Sequence, residues 1–508
     1  MPYLLGIDIG TSGTKAVLVE ESGRVVASSY VEYPLSQPRP GWAEQEPEQW
    51  WQAVVAAVKG LWAKSGLDGR EVAGVGLSGQ MHGAVVLDAG YRVLRPAILW
   101  CDQRTGAECT WMYEKIGAEK LYQWTGNPAL PGFTAPKLVW LKKHEAEVYK
   151  QICHILLPKD YIRFRLTEVL ATEVSDASGT LLLDVARRRW SEEMLAALDI
   201  SGEWLPPVYE SPEVTGCINP EAAAATGLMA GTPVVGGGGD QAAGAVGTGI
   251  VEEGILSAAL GTSGVVFAMT NRPIIQPGST LHAFCHAVPG KWHLMGVMLA
   301  AGGSLQWFRN QLGDEEMREA AATGTDPYEL LTARAAAVGP GAEGLLFLPY
   351  LLGERTPYPD PAARGGFIGL TMRHNKGHLV RAVLEGVAFG LRDSLELLQQ
   401  AGVKTAEIRL SGGGARSPLW RQILANVFKY PVTTVNSTDG PAFGAALLAG
   451  VGAGIYSSVE AACRATIKVT SRAIPVAAEA KTYERLYTVY KSLYPLLRTT
   501  MHDLTGLA

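Results

Sequence analysis

The segment IDIGTSGTKAVL, residues 7–18, contains an apolar run, the turn sequence Gly-Thr-Ser-Gly and a second apolar run. Apolar runs joined by a short glycine-containing turn predict a β-hairpin. A third apolar run, RVVASSYV at residues 24–31, follows directly. The three runs together predict an antiparallel meander.

The same pattern occurs a second time, in AALGTSGVVFAM at residues 258–269. Gly10 and Gly261 open the two turns and lie 251 positions apart, which is about half of the 508-residue chain. A chain of this length is also expected to divide its core, because single cores stop growing near ~250–300 residues. We therefore predict two related α/β domains that face each other, each offering one Gly-Thr-Ser-Gly turn to a shared cleft.

Composition excludes several classes of function. The formal net charge is −5 and no basic block occurs, which argues against a nucleic-acid partner. No run of ~18 apolar residues occurs and the first residues, MPYLLGIDIG, carry no basic lead-in, so neither a membrane partner nor a secretion signal is expected. The six cysteines are scattered without CxxC spacing, which favours reduced thiols and a cytoplasmic location. HAFCH (282–286) alternates like a strand, so a metal site there is not expected.

Helical periodicity fills much of the remaining sequence. One helix is predicted from Pro47 to Gly66, a second covers 379–398, and a third follows Ser417 as its cap. An amphipathic helix closes the chain over 481–504, and its tyrosine stripe is interpreted as core packing. Strands that alternate with helices throughout favour the α/β class.

The Gly-Thr-Ser-Gly turns favour phosphate binding. No GxxxxGK[ST] sequence exists, and the two GxGxxG matches, at 74–79 and 339–344, lie outside a clean strand-to-helix unit. Successive backbone N–H groups and two hydroxyls in a tight turn form an anion cradle. Asp8 lies just before the first turn, and a carboxylate beside phosphates suits Mg²⁺. The alternative is that Asp8 only caps the turn.

Two further glycine clusters allow a ligand role and a structural role. In VVGGGGDQAAGAVG, residues 234–247, four glycines precede Asp240, as expected for a close ligand approach or for a flexible loop. In IRLSGGGARSPLW, residues 408–420, a strand leads through three glycines into a helix, whose N-terminus suits a phosphate. The glycines there would also let an adenine ring approach the backbone, although a tight strand–helix connection explains them equally.

Nine segments in this order resemble the FGGY carbohydrate kinases over nearly the whole chain. They are GIDIGTSGTK, SGQMHG, GFTAPKLVWLKKH, LLPKDYIRFRLT, SDASGT, GGGGDQAAGAVG, LGTSGV, LPYLLGERTP and SGGGARS. The resemblance implies an α/β fold of two RNase H-like (actin-like ATPase) domains with a catalytic cleft between them. It places the domains at 1–247 and 248–508.

The resemblance also implies ATP-dependent phosphorylation of a small-molecule sugar, with ATP and Mg²⁺ in the site and D-xylulose as the expected acceptor. Other members act on another pentulose, a polyol or a sugar acid, such as ribulose or gluconate, and these stay open. GQMHG argues against the glycerol kinases, which carry an Arg-Glu pair in that region. A more distant alternative is an actin-like nucleotide switch without a sugar substrate. By resemblance alone, a homodimer is expected.

For the sugar side of the site, the resemblance implies a role for five residues, and Cys101 marks a departure from the family pattern. Asp240 matches the catalytic base, and its glycines would let substrate and γ-phosphate approach. Met81 and His82 match the sugar-contacting pair, with the His82 ring expected to donate to a sugar hydroxyl, and Trp100 is expected to form an apolar wall. Cys101 and Gln241 stand where many relatives carry Asn, so the resemblance does not define the exact sugar preference. Gln241 is retained as a substrate-binding candidate.

For the nucleotide side, the resemblance implies that Asp8 holds Mg²⁺ directly or through water. The β- and γ-phosphates would be cradled from both domains by residues of the two turns, namely Thr11, Ser12, Gly13, Thr14, Gly261, Thr262 and Ser263. The adenosine would be bordered by Gly413, Gly414 and Arg416.

Overall fold

A computed structural model describes residues 2–507. Most strands of this part of the chain lie in two seven-stranded mixed sheets. The first sheet contains β1 (Tyr3–Ile9), β2 (Gly13–Glu20), β3 (Val25–Glu32), β4 (Val72–Gly79), β5 (Val214–Cys217), β6 (Pro233–Val235) and β7 (Gly238–Gly239). The second contains β8 (Gly254–Leu260), β9 (Gly264–Thr270), β10 (His282–Cys285), β11 (Trp292–Met298), β12 (Thr405–Ser411), β13 (Val432–Val435) and β14 (Val469–Ala473).

Helices cover both sheets and the segments between them. In the first half they are α1 (Pro47–Ser65), α2 (Gly106–Ile116), α3 (Ala118–Thr125), α4 (Thr134–His144), α5 (Ala146–Tyr149), α6 (Pro158–Thr167), α7 (Val174–Ala177), α8 (Glu192–Leu198), α9 (Pro220–Thr226) and α10 (Asp240–Thr248). In the second half they are α11 (Gly302–Leu312), α12 (Asp314–Thr323), α13 (Pro327–Ala336), α14 (Lys376–Gln400), α15 (Pro418–Phe428), α16 (Gly440–Gly452), α17 (Val459–Thr466) and α18 (Ala477–Leu507).

Small two-stranded sheets complete the β-structure. They pair Glu44–Gln45 with Ala97–Ile98, Val85–Leu87 with His154–Leu156, Thr172–Glu173 with Val208–Tyr209, Leu183–Asp184 with Arg189–Trp190, and Leu346–Leu348 with Gly366–Ile368. Within residues 2–507, no helix is long and apolar enough to cross a membrane.

The two large sheets repeat one topology. In the first sheet the order β3-β2-β1-β4-β6 consists of an antiparallel meander followed by strands parallel to β1. In the second, β11-β9-β8-β12-β13 has the same order and the same directions. The Gly-Thr-Ser-Gly turns join β1 to β2 and β8 to β9, so they occupy equivalent places. The predicted duplication and both predicted hairpins are confirmed.

Helix boundaries follow local chemistry. Pro47 occupies the first turn of α1, where a missing N–H costs nothing, and Gly66 ends the helix in the left-handed conformation with φ of 72°. Ser417 caps α15 by accepting a hydrogen bond from the Trp420 backbone N–H at 3.3 Å. The tyrosine stripe of α18 is buried in the core at Tyr483, Tyr487, Tyr490 and Tyr494, as predicted. These predicted helices are therefore confirmed, with α14 and α18 each several residues longer than expected.

Helices α10 and α16 connect the two halves through very close backbone contacts. A Cβ atom at Gly444 of α16 would collide with the Ala243 carbonyl oxygen of α10. Although α16 belongs to the second half of the chain, it packs on the first sheet, where Gly6 of β1 faces the Ala442 carbonyl oxygen. Glycine is required at these positions because any side chain would separate the elements. The result is a tightly packed contact between α10 and α16, which connects the two halves of the chain.

The halves also meet along the edge of the second sheet. The side chain of Asn127 exchanges two hydrogen bonds with the backbone of Ala283 in β10, at 2.7 and 3.1 Å. The Trp292 indole N–H of β11 donates to the Val185 carbonyl oxygen at 2.7 Å. Any opening of the cleft must therefore break these hydrogen bonds or leave this side closed, in addition to preserving or disrupting the α10–α16 contact.

Candidate active site

Asp8 and Asp240 emerge at the same edge of the first sheet. Asp8 lies on β1 opposite Ser78 of β4, and Ser78 lies opposite Gly238 of β7. The three strands are parallel, so their carboxyl ends meet at one edge. Asp240 follows β7 directly as the first residue of α10. Strand register therefore brings together two carboxylates that are 232 positions apart in sequence.

The electrostatic environment of this pair favours protonation. Burial raises the pKa of Asp240 to about 7, and the nearby negative charge of Asp8 adds to that effect. Burial likewise raises the pKa of Asp8 to about 6, against the opposing effects of the neighbouring Ser78 hydroxyl and the Lys15 charge. A carboxyl group that titrates near neutral pH is suited to accept and release a proton during catalysis.

The glycines before Asp240 contact protein rather than open space. A Cβ atom at Gly237, whose φ is 78°, would collide with the Leu77 carbonyl oxygen, and one at Gly239 would lie 3.0 Å from the Met81 sulfur. The expectation that these glycines leave room for substrate and γ-phosphate is therefore incomplete. Their contacts show that they let β7 lie directly against β4 and the SGQMHG segment, which holds Asp240 close to Met81.

His82 has a fixed orientation in an aromatic cluster. Its φ is 67°, and its Nδ1 lies 2.6 Å from the Gly179 carbonyl oxygen. The ring packs edge-on against Phe133, with ring centroids 4.8 Å apart. Because a carbonyl oxygen only accepts, Nδ1 carries the hydrogen, and burial lowers the pKa of His82 to about 3. A neutral ring of this tautomer presents Nε2 as an acceptor, which favours donation by a sugar hydroxyl to the ring over the expected donation by the ring. The contact of His82 with the sugar stays a prediction.

A hydrogen-bond network joins the first turn to the SGQMHG segment. The Trp100 indole N–H donates to Thr11 Oγ1 at 2.9 Å, and that hydroxyl donates to Gln80 Oε1 at 3.0 Å. Gln45 completes the ring by accepting from Gln80 Nε2 at 3.0 Å and donating to the Thr11 carbonyl oxygen at 2.7 Å. Sequence analysis assigned no role to Gln45 or Gln80, because their hydrogen bonds connect positions more than thirty residues apart and only the folded chain shows these contacts. Trp100 as an apolar wall stays a prediction.

Residues of the first turn differ in how far they reach the surface. Ser12 is exposed and Thr11 is half-buried, whereas Gly13 and Thr14 are buried. The Thr14 hydroxyl lies 3.5 Å from the Tyr33 hydroxyl, at the start of β2. Thr11 and Ser12 are thus the side chains of this turn that a phosphate can reach directly.

The start of α11 supports the second turn. Gly261, Thr262 and Ser263 are all exposed, and the backbone N–H groups of Gly302 and Gly303, at the start of α11, donate to the carbonyl oxygens of Gly261 and Thr262 at 2.8 and 3.0 Å. Sequence analysis missed this helix start, although the glycine pair in AAGGSLQW was the available signal. An α-helix N-terminus beside the turn adds to its preference for anions.

The third glycine cluster lies against the same turn. Gly412 has a φ of 82°, and a Cβ atom there would lie 2.6 Å from the Leu260 carbonyl oxygen at the end of β8. The next residues form a short 3₁₀ turn in which Gly413 and Arg416 are exposed and Gly414 is half-buried. The proposed phosphate turn and the proposed adenosine segment are therefore neighbours at the carboxyl edge of the second sheet.

Two family models match successive parts of the chain. Residues 3–247 match the model of the FGGY family of carbohydrate kinases, N-terminal domain, and residues 256–453 match that of its C-terminal domain. The chain belongs to the FGGY family of carbohydrate kinases. The predicted ATP-dependent sugar kinase and the predicted α/β fold of two actin-like domains are thereby confirmed.

Individual FGGY relatives cover almost the whole chain. It is 48% identical to the xylulose kinase of Escherichia coli (strain K12) over 450 residues, which are 88% of this chain and 90% of that protein. It is 41% identical to the xylulose kinase of Bacillus subtilis (strain 168) over 494 residues, 97% of each chain. The crystal structure of ligand-bound xylulose kinase from Lactobacillus acidophilus superposes with a TM-score of 0.92 at 30% identity, covering 99% of this chain and 100% of that one.

Proposed function

We propose that the protein transfers the γ-phosphoryl group of ATP to D-xylulose, with Asp240 as the general base. The observation that carries the proposal is the convergence of Asp8 and Asp240 at one sheet edge, in an FGGY chain whose similar relatives are named xylulose kinases. Asp240 would accept the proton of the sugar hydroxyl as that oxygen attacks the γ-phosphorus. The bond from phosphorus to the ADP oxygen breaks as the new P–O bond forms.

Phosphoryl transfer depends mainly on positioning and on charge neutralisation. The exposed N–H groups and hydroxyls of the two turns would hold the phosphates from both domains. Met81 and His82 would hold the sugar, with His82 Nε2 accepting from a sugar hydroxyl. Gly413, Gly414 and Arg416 would border the adenosine, and Gln241 would lie beside the reacting hydroxyl.

The surroundings of Asp8 fit a magnesium ion. Asp8 Oδ1 is buried and has no hydrogen-bond partner among residues 2–507, so it is available to a cation. No group of three or more His, Cys, Asp or Glu side chains suitable for a metal occurs in that range, so the remaining ligands would come from water and phosphate, as Mg²⁺ prefers. When bound, Mg²⁺ would neutralise phosphate charge, and Asp8 would set its place directly or through water.

A panel of acceptors tests the substrate. ADP release is measured with D-xylulose, D-ribulose, gluconate and glycerol, and without any acceptor. We expect the highest kcat/KM for D-xylulose and only slow hydrolysis without sugar. A higher kcat/KM for gluconate would replace the proposed substrate, since a gluconokinase of Bacillus subtilis (strain 168) is also 33% identical. Hydrolysis that is equally fast without any acceptor would favour a nucleotide switch. Sedimentation of the same sample tests the predicted homodimer.

Catalysis should decline in acid. Asp240 works as a base only when it is deprotonated, and its pKa is about 7 in the free protein. We therefore expect kcat/KM for D-xylulose to fall about tenfold per pH unit below about pH 7. Asp8, with a pKa of about 6, should make the decrease in kcat/KM steeper at lower pH. The apparent pKa values of the profile therefore describe the two interacting carboxyl groups together. A profile that stays flat down to pH 5 would contradict Asp240 as the base.

Substitution His82→Ala should raise the KM for D-xylulose about tenfold and leave the KM for ATP nearly unchanged. The lost hydrogen bond to a sugar hydroxyl is worth ~1–2 kcal/mol. His154→Ala, at a half-buried histidine in a small sheet of the same domain, serves as the control and should change neither constant. An ATP defect of equal size in His82→Ala would place this side chain outside the sugar pocket.

Sugar and an ATP analogue together should compact the protein. The two turns belong to different domains and must reach one triphosphate, so ligands favour a closed arrangement. Solution X-ray scattering with D-xylulose plus a non-hydrolysable ATP analogue should give a smaller radius of gyration than the ligand-free protein. An unchanged radius, together with ATP hydrolysis as fast without sugar as with it, would exclude ligand-driven closure.

A further inference from the structure

A buried serine holds the backbone that carries Asp240. Ser175 Oγ accepts a hydrogen bond from the Gly239 backbone N–H at 3.0 Å, and Gly239 is the residue directly before Asp240. Both Ser175 and Gly239 are buried. The contact spans 64 positions and joins the start of α7 to the start of α10. Ser175 lies in the SDASGT segment, to which the proposed mechanism gives no role.

The serine is itself held by a fully satisfied carboxylate. Ser175 Oγ donates to Glu173 Oε1 at 2.9 Å. Glu173 also accepts from the backbone N–H groups of Ser175 and Asp176, at 2.7 and 2.8 Å, and from Ser211 Oγ at 2.8 Å. Hydrogen bonds to an ionised carboxylate are shorter and stronger than neutral ones, so this group fixes the direction in which the serine oxygen points.

A buried cation supports the same segment. Lys159 Nζ lies 2.6 Å from Asp160 Oδ1 and 3.4 Å from Glu173 Oε1, and it also lies 3.4 Å from the Gly236 carbonyl oxygen at the start of the glycine run. The run from Gly236 to Gly239 is therefore fastened at both ends to one buried polar cluster. A run of glycines has little stiffness of its own, so such external contacts decide where it lies.

Asp240 depends on this backbone for its position. Its carboxylate is held locally by the Gln241 backbone N–H, which donates to Oδ1 at 2.7 Å. That bond lies within its own helix turn and moves with it. A shift of the backbone at Gly239 would therefore displace the carboxylate relative to Met81 and the sugar pocket, and displacements near 1 Å are costly for an in-line reaction.

We propose that Ser175, oriented by Glu173, is a positioning residue that places the carboxylate of Asp240 for proton transfer. This inference rests on the proposed role of Asp240 as the base. In this role Ser175 acts through the hydrogen bond that its Oγ accepts from the Gly239 backbone N–H, and so through the backbone that carries Asp240.

Substitution Ser175→Ala tests the proposal, with Ser191→Ala as a matched control. Ser191 is also buried, accepts a backbone N–H, that of Met194, at 3.2 Å, and lies 3.4 Å from a glutamate oxygen, but it caps α8. Both variants should lose similar thermal stability. We expect kcat to fall about tenfold in Ser175→Ala, with the KM for ATP within twofold of wild type, and kcat to stay within twofold in Ser191→Ala.

The double variant Asp240→Asn/Ser175→Ala tests whether Ser175 affects kcat through Asp240. If Ser175 acts through Asp240, the double variant should be no slower than Asp240→Asn alone, because the two losses are not independent. Glu173→Gln keeps the serine hydroxyl but disturbs its orientation, so it should also lower kcat. This variant provides the test if Ser175→Ala folds poorly.

Two results would overturn the positioning role: wild-type kcat in both Ser175→Ala and Glu173→Gln, or a further loss in the double variant beyond Asp240→Asn. These outcomes are distinct from a failure of the proposed function. If Asp240→Asn retains wild-type turnover, the base assignment fails. If Asp240→Asn lowers kcat about 10²-fold while both Ser175→Ala and Glu173→Gln keep wild-type kcat, only the positioning role fails.

Discussion

Substitution Asp240→Asn is expected to lower kcat for D-xylulose about 10²-fold or more, with little change in ATP binding. Asn has nearly the same shape as Asp, so the hydrogen bond that the side-chain oxygen accepts from the Gln241 N–H can persist. The amide cannot take the hydroxyl proton, and general-base catalysis contributes on the order of 10²–10⁴-fold. The measurement is steady-state kinetics together with titration of a non-hydrolysable ATP analogue.

Asp503→Asn, at an exposed aspartate near the end of α18, is the control and should be indistinguishable from wild type. A second readout comes from pH. The residual activity of Asp240→Asn should lose the acid limb near pH 7, because the group responsible for it is gone. Turnover close to wild type would remove Asp240 from the mechanism, and an intact acid limb in the variant would assign that limb to another group.

Substitution Asp8→Asn should have the second-largest effect, an increase of roughly 10²-fold in the Mg²⁺ concentration needed for half-maximal activity. A buried carboxylate oxygen without a partner is replaced by a neutral amide, which is a much weaker ligand for a hard cation. Titration of MgCl₂ at fixed ATP and D-xylulose measures the change. The affinity for D-xylulose in the absence of nucleotide should be nearly unaffected.

The same variant makes an independent electrostatic prediction. The negative charge of Asp8 helps to raise the pKa of Asp240, so its removal should move the acid limb of the remaining activity to lower pH. An unchanged Mg²⁺ dependence together with an unchanged acid limb would reduce Asp8 to a residue that shapes the turn.

Hydrogen bonds connect the proposed sugar side of the site to the proposed phosphate side. Trp100, Thr11 and Gln80 are joined by hydrogen bonds of 2.9 and 3.0 Å, and Gln80 immediately precedes Met81 and His82. We therefore expect a ligand that orders the SGQMHG segment to order the first Gly-Thr-Ser-Gly turn as well. This coupling agrees with the expectation that an incomplete site hydrolyses ATP slowly.

The sequence by itself determined the local elements and the family. Two Gly-Thr-Ser-Gly hairpins half a chain apart, helix starts at Pro47 and Ser417, and the tyrosine stripe of α18 are all encoded by neighbouring residues, because turn chemistry, caps and apolar periodicity act over a few positions. The ordered motifs also identified the kinase family and named Asp8 and Asp240 as candidates.

Only the tertiary structure decided how those candidates act. The register β1–β4–β7 brings Asp8 and Asp240 to one edge, the Gly179 carbonyl oxygen sets the tautomer of His82, and Ser175 holds Gly239 from 64 positions away. The glycine run before Asp240 could be interpreted from sequence as a ligand cradle or a loop. Its contacts show that it packs closely on Leu77 of β4 and on Met81, which follows that strand. The physical reason is that strand order and backbone contact depend on which distant segments pack together, and no local pattern of residues records that choice.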